Sequence, residues 1–475
     1  MGIIIGAINT ILIFPHVFES NPEYWGLLQI LVSYSVIFST FSHLGSPNIL
    51  LRFFPKLKDK RELFSFSFIL CGIGFLLFLL VFFFFENYLL SSLDATPLLQ
   101  EYFYLVGFLV FSLSFFDLFS SISRSYLDSS TPVFFNEVFV RIGVLFLLIL
   151  YNYEWIQFHQ FLYCYIAIYI VKLMALFYIQ LKNKRLSFSF NFSKAHLKEQ
   201  FKYGFYVLTG GGAAVLVSRF DMLMIEHYLD LKQVAYYGLA FFIGSVIKVP
   251  SRSISSISSP LIAKSFEEDN KNNIQNIYSK TSINLLIIGG VIFLCVMLNI
   301  DDILQILPEK FSHGKYVVLF IGSAQLVNLV AGLHGLILIH SSYYKSIIYF
   351  NIFLFIVTFI TNVIFIPKFG INGAALATFV SILTFNSVRM LYVYKKMNFH
   401  PFSIKTAIAL LMILVIYFLI SILPLSSASL ISSIINIIIR CVIACSLVIA
   451  VVQYFKLSED ISHIIHNSME KLRRK

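Results

Sequence analysis

Long apolar stretches separated by short polar segments fill almost the whole chain. A membrane-spanning helix needs about 20 mostly apolar residues, and fourteen stretches reach or approach that length. These stretches are too long and too uniformly apolar for the roughly ten-residue alternating strands of a membrane barrel. The pattern therefore predicts an all-α polytopic membrane protein with about 14 transmembrane helices. The stretches lie near residues 2–18, 24–45, 63–85, 102–123, 132–151, 158–181, 203–225, 234–257, 280–299, 315–340, 343–366, 371–394, 403–423 and 430–455.

Composition supports this interpretation and removes several classes of protein. The 475 residues are 58% hydrophobic and 12% charged, against about 25% charged residues in a typical soluble domain. The five cysteines lie inside apolar runs without metal-ligand spacing, so neither a disulfide framework nor a metal site is expected. The sequence contains no P-loop pattern, and neither ATP hydrolysis nor a bound cofactor is expected.

Lysine and arginine are distributed unevenly between the connecting segments. These segments form two alternating sets, of which one holds 25 basic residues and the other only four. Since basic loops are retained in the cytoplasm, both termini are predicted to be cytoplasmic and no nucleic-acid partner is needed to explain the net charge of +11. Apolar residues at helical spacing in residues 456–475 predict a cytoplasmic amphipathic helix.

The first six stretches match the next six at a nearly constant offset of 212 residues. EYWGLLQI (Glu23–Ile30) aligns with AYYGLAFF (Ala235–Phe242), and Arg52 falls on Lys264. An even helix number keeps both repeats in one orientation, so we expect two lobes related by a pseudo-twofold axis along the membrane normal, with a substrate site between them. The predicted parts are an N-terminal six-helix lobe (1–181), a basic cytoplasmic linker (182–202), a C-terminal six-helix lobe (203–394), an extra helix pair (395–455) and the tail (456–475).

Several basic side chains fall inside predicted spans, where each costs about 2.5–3.5 kcal/mol on insertion scales. Arg141 follows Glu137 by four residues, so a structural ion pair competes with a substrate role. Lys172 has no acidic residue one turn away and is expected to line a cavity, with snorkelling to an interface as the alternative. Arg389 lies nearer a cytoplasmic end, where snorkelling is expected. The full set is Arg141, Lys172, Arg219, Lys248, Arg389 and Arg440.

The seventh and eighth stretches combine charge with residues that weaken a helix. Arg219 and Asp221 point about 200° apart on a helix and cannot pair on one face. Asp221 therefore needs another partner, such as Lys248, or a coupling cation. Pro250 removes a backbone hydrogen bond beside Lys248, and the resulting kinked basic segment could admit a diphosphate. A hinge or a close helix contact is expected at Gly210, Gly211 and Gly212.

Five short segments carry a family pattern, and their order and spacing extend over nearly the whole chain. They are LGSPNILLRFFP (Leu44–Pro55), SRFDMLMI (Ser218–Ile225), AYYGLA (Ala235–Ala240), SISSPLIAKSFEE (Ser256–Glu268) and IPKFGINGAALAT (Ile366–Thr378). Together they resemble the multidrug/oligosaccharidyl-lipid/polysaccharide exporter (MOP) superfamily, specifically its polysaccharide flippase branch. The chain departs from that family at its N-terminus, where the first span is either stunted or lacks preceding residues.

The resemblance implies a non-enzymatic flippase that moves a lipid-linked oligosaccharide, of the undecaprenyl diphosphate type, across the bacterial inner membrane by alternating access. Its product would serve surface polysaccharide biosynthesis, such as O-antigen or capsule. Protons, sodium ions or the membrane potential would drive it, and membrane lipids and other polysaccharide assembly proteins would be its partners. A diphosphate in a low-dielectric layer favours a cationic cavity. Its candidates are Arg52 at the cytoplasmic mouth, Arg141, Lys172, Arg219 and Lys248.

Two alternatives remain open at this point. A membrane-embedded polymerase or glycosyltransferase needs catalytic residues on a sizeable external loop, yet the longest external segments, 86–101 and 300–314, have only about fifteen residues. A multidrug exporter of the same superfamily typically has twelve spans and a cavity suited to cations. Fourteen predicted spans and basic residues inside them favour the flippase over both.

Overall fold

The computed structural model describes residues 2–57, 60–92, 95–186, 189, 194–423 and 430–463. Throughout these residues the regular elements are helices, and no strand occurs among them. In this part of the chain, twelve helices are long and apolar enough to cross a membrane. The predicted all-α polytopic fold is therefore confirmed, and the chain is a multi-pass membrane protein.

The fourteen predicted stretches and the twelve long helices differ at two places. The first stretch forms a shorter apolar helix, Ile4–Val17, which contains the π-helical turn Ile8–Ile13. The eleventh and twelfth stretches follow each other without a loop in the helical range Ser346–Met397, but the backbone leaves helical geometry at Gly370 (φ 58°, ψ −137°). Glycine tolerates a positive φ because it has no Cβ. The Thr361 and Ser381 hydroxyl oxygens are 3.0 Å apart, so the two spans pack side by side and are joined by a tight turn at Gly370.

The chain divides into two compact units, Met1–Gly238 and Leu239–Lys475. Short helices and turns flank the long helices of the N-terminal unit, and a π-helical turn, Phe135–Phe139, joins α8 to α9. Helix α12, Leu231–Ser245, crosses the division. The preceding helices are α1 Gly2–Ala7, α2 Phe14–Val17, α3 Pro22–Ser42, α4 Ser46–Phe53, α5 Lys60–Ser92, α6 Pro97–Tyr102, α7 Leu105–Ser125, α8 Ser130–Phe134, α9 Val140–Asn152, α10 Phe158–Lys182 and α11 Lys194–Tyr228.

Helix α7 is central to the N-terminal unit, because α3, α4, α5 and α10 all pack against it. Its small polar residues permit close approach. The Ser112 hydroxyl donates to the Tyr169 carbonyl of α10 at 2.5 Å, and the Ser114 hydroxyl donates to the Ser39 carbonyl of α3 at 3.4 Å. Helices in a membrane gain little from excluding water, so small residues and interhelical hydrogen bonds are a usual means of association.

In the C-terminal unit, the predicted extra helix pair packs against a helix of the preceding bundle. Apolar residues of α14, α19 and α20 form one buried cluster that includes Leu286, Ile413 and Val448. The two added helices are thus part of this unit's core. The unit's helices are α13 Val249–Glu267, α14 Lys271–Met297, α15 Ile300–Ile306, α16 Lys315–Ala331, α17 His334–His340, α18 Ser346–Met397, α19 Ile404–Ser421 and α20 Leu430–Tyr454.

The start of the predicted tail helix is fixed to α14. The Ser458 hydroxyl accepts from the Ile461 backbone N–H at 3.1 Å and donates to Asn284 at 2.6 Å, so it caps the helical residues 459–463. Residues 464–475, most of the predicted amphipathic helix, lie outside the described residues, as do 187, 188 and 190–193 of the predicted linker. Helix α11, predicted as the first of the second lobe, belongs to the N-terminal compact unit. The lobe boundaries and the 212-residue repeat stay predictions.

Candidate functional site

Two predicted cavity cations in the N-terminal unit lie close to a pair of tyrosines on α10. Tyr165 and Tyr169 are one helical turn apart, and their hydroxyl oxygens are 3.3 Å from each other. The Lys172 ammonium is 4.9 Å from the centre of the Tyr169 ring. Arg219 of α11 is near enough for its charge to act on both hydroxyls. We call Tyr165, Tyr169, Lys172 and Arg219 the tyrosine–cation cluster.

Lys172 is the completely buried member of this cluster. Its ammonium donates to the Asn136 side-chain oxygen at 3.1 Å and lies 4.1 Å from the centre of the Phe116 ring. The carboxylates of Asp117 and Glu137 act on it from beyond ion-pair distance. Lys172 therefore cannot contact a ligand directly in this conformation. It can influence a ligand only through its charge or through its contact with Tyr169.

Arg219 is the accessible cation of the cluster. Its side chain is half-buried and, among the described residues, it forms no ion pair and no hydrogen bond. Asp221 is buried and accepts a hydrogen bond from the Tyr237 hydroxyl at 2.9 Å. Sequence reasoning had looked for a cationic partner of Asp221 and missed this tyrosine. A cation with free donors beside two phenol groups can bind an anionic, hydroxyl-rich molecule.

The other two N-terminal candidates differ in how their charges are balanced. Arg52 is exposed on α4, and its guanidinium carbon lies 4.2 Å from the centre of the Tyr203 ring of α11, a cation–π contact. Arg141 forms an ion pair of 2.6 Å with Glu137 and donates to the Gly2 carbonyl. The structural pairing considered for Arg141 is thus formed, and its charge does not require a substrate.

The candidates around the eighth stretch lie where its helix is interrupted. A 3₁₀ turn, Val246–Lys248, separates α12 from α13. Pro250 lies in the first turn of α13, where its missing N–H leaves no intrahelical hydrogen bond unformed. The Lys248 side chain is exposed and close enough to Arg252 for their charges to interact. The chain therefore changes helical geometry at a basic, accessible segment.

The three glycines predicted as a hinge lie inside the continuous helix α11. A Cβ at Gly212 would lie 3.0 Å from the Phe41 ring, so close packing with α3 favours glycine there. A Cβ at Gly211 would meet nothing within 4 Å. Gly210 is buried in the same turn. Packing accounts for one of the three positions, and the hinge stays a prediction.

Two other cations lie in surroundings that sequence reasoning did not anticipate. Arg440 of α20 forms an ion pair of 2.5 Å with Asp302, a residue interpreted from the sequence as part of an external segment. Arg389 was expected to snorkel, yet it is only 9% exposed, so that expectation is wrong. Among the described residues, no group of three or more His, Cys, Asp or Glu side chains is placed to hold a metal.

Family comparisons extend over both units. A family model described as "Polysaccharide biosynthesis protein" matches residues 2–266, more than half of the chain. A second, described as MatE, matches residues 213–365. No curated protein matches the chain by sequence.

Solved structures of low sequence identity share the fold. One is described as "Lipid II flippase MurJ, inward closed conformation", with a TM-score of 0.69, 13% identity and coverage of 94% of this chain and 96% of that one. Another is an "inward-facing conformation of a multidrug resistance MATE family transporter of the MOP superfamily", with a TM-score of 0.67, 12% identity and coverage of 84% and 95%. A third is an "outward-facing conformation of a multidrug resistance MATE family transporter of the MOP superfamily", with a TM-score of 0.57, 13% identity and coverage of 84% of this chain and 93% of that one.

Proposed function

Since this chain belongs to the polysaccharide biosynthesis protein family, within the MOP superfamily, we propose that it translocates a lipid-linked oligosaccharide across the bacterial inner membrane by alternating access. The lipid carrier is of the undecaprenyl diphosphate type, and the sugar is a repeat unit of a surface polysaccharide such as O-antigen or capsule. The flippase fold of the solved structures supports this reaction class. No covalent step is part of the proposal, so the protein acts as a transporter.

The tyrosine–cation cluster is the observation that carries this proposal. A diphosphate bears its charge into a low-dielectric region, where a nearby guanidinium lowers the electrostatic free energy of the anion. Arg219 has free donors for phosphate oxygens, and a planar guanidinium suits bidentate phosphate contacts. The hydroxyls of Tyr165 and Tyr169 can hydrogen-bond to sugar or phosphate oxygens. Arg52 would add exposed positive charge within the same unit, and Lys248 is an exposed cation of the other unit.

Arg219 and Lys172 have different parts in this proposal. Arg219 contacts the diphosphate, and Lys172 is a positioning residue that orients Tyr169 and contributes charge from its buried place. Asp221 is the proposed coupling carboxylate. It is a buried carboxylate on a spanning helix, where ionisable groups commonly take part in proton or ion transfer.

A second candidate function is export of drug-like molecules. The MatE match over residues 213–365 and the MATE transporter folds favour it. The absence of an anionic partner for Arg219 among the described residues opposes it, because a cationic drug would be repelled there. Transport of a lipid-linked anion remains the better supported function.

The test is the substitution Arg219→Gln in a strain that depends on this protein for its surface polysaccharide. We expect surface polysaccharide to fall at least about tenfold, as a loss of about 1.4 kcal/mol of substrate stabilisation predicts, while the protein's membrane level stays near normal. Lipid-linked repeat units should accumulate on the cytoplasmic leaflet. Arg219→Lys should keep part of the activity because it keeps the charge.

Ser218→Ala is the matched control, because Ser218 is the exposed neighbour and, within the described part of the chain, its hydroxyl bonds only to the Val215 carbonyl. It should leave polysaccharide export unchanged. Accumulation of lipid-linked units on the outer leaflet would indicate a polymerase. Normal export with Arg219→Gln, together with increased drug sensitivity in the deletion strain, would favour the multidrug exporter.

A further inference from the structure

A cation without a counter-ion lies inside the C-terminal unit. Arg389 of α18 is 9% exposed, and its Nε is buried with no hydrogen-bond partner. Among the residues the structure describes, none accepts a hydrogen bond from its guanidinium or forms an ion pair with it. Buried charges in proteins are paired or bound to ions, because an isolated charge in a low-dielectric region is strongly destabilising. The two terminal nitrogens of the Arg389 guanidinium also have no partner among the described residues but are not enclosed, so an anion from solution can reach them.

The surroundings of Arg389 do not provide that balance. It lies beside an apolar cluster that includes Tyr278, Leu333 and Phe350. The guanidinium carbon is 5.2 Å from the centre of the Phe385 ring and 6.0 Å from that of Phe350. Attraction between a cation and a ring extends to about 6 Å, so Phe350 is at the limit. These faces stabilise part of the charge but accept none of the guanidinium's N–H groups in the plane where anions bind.

His334, next to Arg389, has a buried side-chain nitrogen without a hydrogen-bond partner. His334 Nε2 lies 2.8 Å from the Asn386 side-chain oxygen. The Asn386 amide nitrogen donates to Asn328 at 2.9 Å, which fixes the amide's orientation and makes His334 Nε2 the protonated nitrogen. His334 Nδ1 is then left as a buried nitrogen with no hydrogen-bond partner.

The guanidinium of Arg389 reaches the backbone next to this histidine. A Cβ at Gly335 would lie 3.2 Å from Arg389 Nη2, so the absence of a side chain there admits the guanidinium. The charge of Arg389 acts on both His334 and Tyr278. The Tyr278 hydroxyl donates to the Ala331 carbonyl at 3.1 Å and is therefore engaged elsewhere. The guanidinium of Arg389 therefore supplies the anion-binding donors of this region, because the unprotonated His334 Nδ1 is only an acceptor.

We propose that Arg389 binds a small inorganic monoanion of about the size of chloride inside the C-terminal unit, next to His334. One negative charge neutralises one guanidinium and leaves no excess charge in the low-dielectric interior, which a dianion such as hydrogen phosphate would leave. Phe350, Phe385 and the backbone at Gly335 pack against the guanidinium, and only 9% of Arg389 is exposed, so a compact ion can approach it more closely than a bulky one. The site involves none of the residues assigned to the lipid-linked substrate.

Thermal unfolding of the purified protein in detergent tests this proposal. Sodium chloride, bromide, phosphate and gluconate are compared at equal ionic strength, because gluconate is too large for the site. Chloride and bromide should raise the unfolding midpoint saturably, by about 2–4 °C, and phosphate should not exceed gluconate. The rise should vanish in Arg389→Gln and persist in Lys264→Gln, which removes one exposed positive charge from the same unit.

Anomalous diffraction from bromide-soaked crystals of the unsubstituted protein gives a measurement that does not depend on a variant's folding. A peak within hydrogen-bonding distance of the Arg389 guanidinium supports the site. The proposal is overturned if chloride does not stabilise the unsubstituted protein, if Arg389→Gln keeps the full chloride effect, or if bromide binds only elsewhere. None of these results bears on Arg219, so failure here is distinct from failure of the proposed flippase function.

Discussion

Two arginines of the C-terminal unit, the buried Arg389 and the partly buried Arg440, have opposite surroundings. Arg440 lies 2.5 Å from the carboxylate of Asp302, which is 1% exposed, and also donates to the Leu298 carbonyl at 3.1 Å. Arg389 has aromatic rings and an unsatisfied histidine nitrogen around it, with no carboxylate bonded to it among the described residues. A cation paired with a fixed carboxylate stabilises the fold. A cation that has no carboxylate partner can bind an anionic ligand.

The same contrast separates two cations of the N-terminal unit. Arg141 is neutralised by Glu137 one turn earlier on the same helix. The charge of Arg219 acts on the hydroxyls of Tyr165 and Tyr169 and, in the described residues, Arg219 pairs with no carboxylate. Pairing therefore sorts intramembrane cations into those that hold helices together and those available to an anionic ligand.

The largest loss of stability should follow from removing Arg440, the arginine that is paired with Asp302. Arg440→Met leaves Asp302 buried without its cation, and removing one partner of a buried pair costs about 3–5 kcal/mol. We expect a large loss of folded protein and a lower unfolding midpoint in detergent. The double variant Asp302→Asn/Arg440→Met leaves no charge unpaired and should recover most of the loss. Equal losses in the single and double variants would show that packing of the arginine stem is what matters.

The long apolar runs were sufficient to predict the helical membrane fold, because no other structure satisfies the backbone in lipid over that length. The sequence predicted two separate spans here, but the turn at Gly370 is tighter than the loop that Pro367 and Lys368 suggested. A turn of this kind depends on one glycine adopting a positive φ, and the backbone angle of a single glycine cannot be predicted from composition.

Sequence reasoning anticipated a contact of a candidate residue where the partners are close in sequence. The pair of Glu137 and Arg141 follows directly from i,i+4 spacing. The ion pair of Arg440 joins residues 138 positions apart, so no local pattern could reveal it. Tyr165 and Tyr169 are two of 26 tyrosines in an aromatic-rich chain, and only the fold brings them beside Arg219.

An ion pair outside the spans should have an intermediate effect, because water solvates it partly. Asp128 and Arg185 pair at 2.9 Å between α7 and the segment after α10, with each side chain 18% exposed. Burial raises the pKa of Asp128, but hydrogen bonds from Arg185 and Thr131 outweigh burial and hold the pKa below its ordinary value. Asp128→Asn should lower the free energy of unfolding by about 1–2 kcal/mol at pH 7.

The pH dependence of this effect has a definite sign. A carboxylate with a depressed folded-state pKa stabilises the protein fully above its unfolded pKa of about 4, and the contribution disappears as pH falls through the lower folded value. The stability difference between the unsubstituted protein and Asp128→Asn should therefore be constant from pH 7 to about 5 and shrink below 4. Glu268→Gln, in an exposed pair with Lys264, is the control and should show almost no difference at any pH. A difference that grows on acidification would contradict this account.

The smallest change in stability should follow from replacing Arg389, the unpaired arginine, when no small anion is present. Arg389→Met replaces an uncompensated buried cation by an apolar side chain of similar length, and such replacements are neutral or stabilising because they remove a desolvated charge. In sodium gluconate we expect the free energy of unfolding to change by less than about 1 kcal/mol, or to rise. Chloride should then favour the unsubstituted protein, since only it retains the guanidinium. The same Arg→Met substitution would thus be severe at position 440 and mild at position 389, although Arg389 is the more buried of the two side chains. If Arg389→Met in gluconate destabilises the protein as much as Arg440→Met does, Arg389 has a structural counter-charge and the distinction between paired and unpaired cations fails at this site.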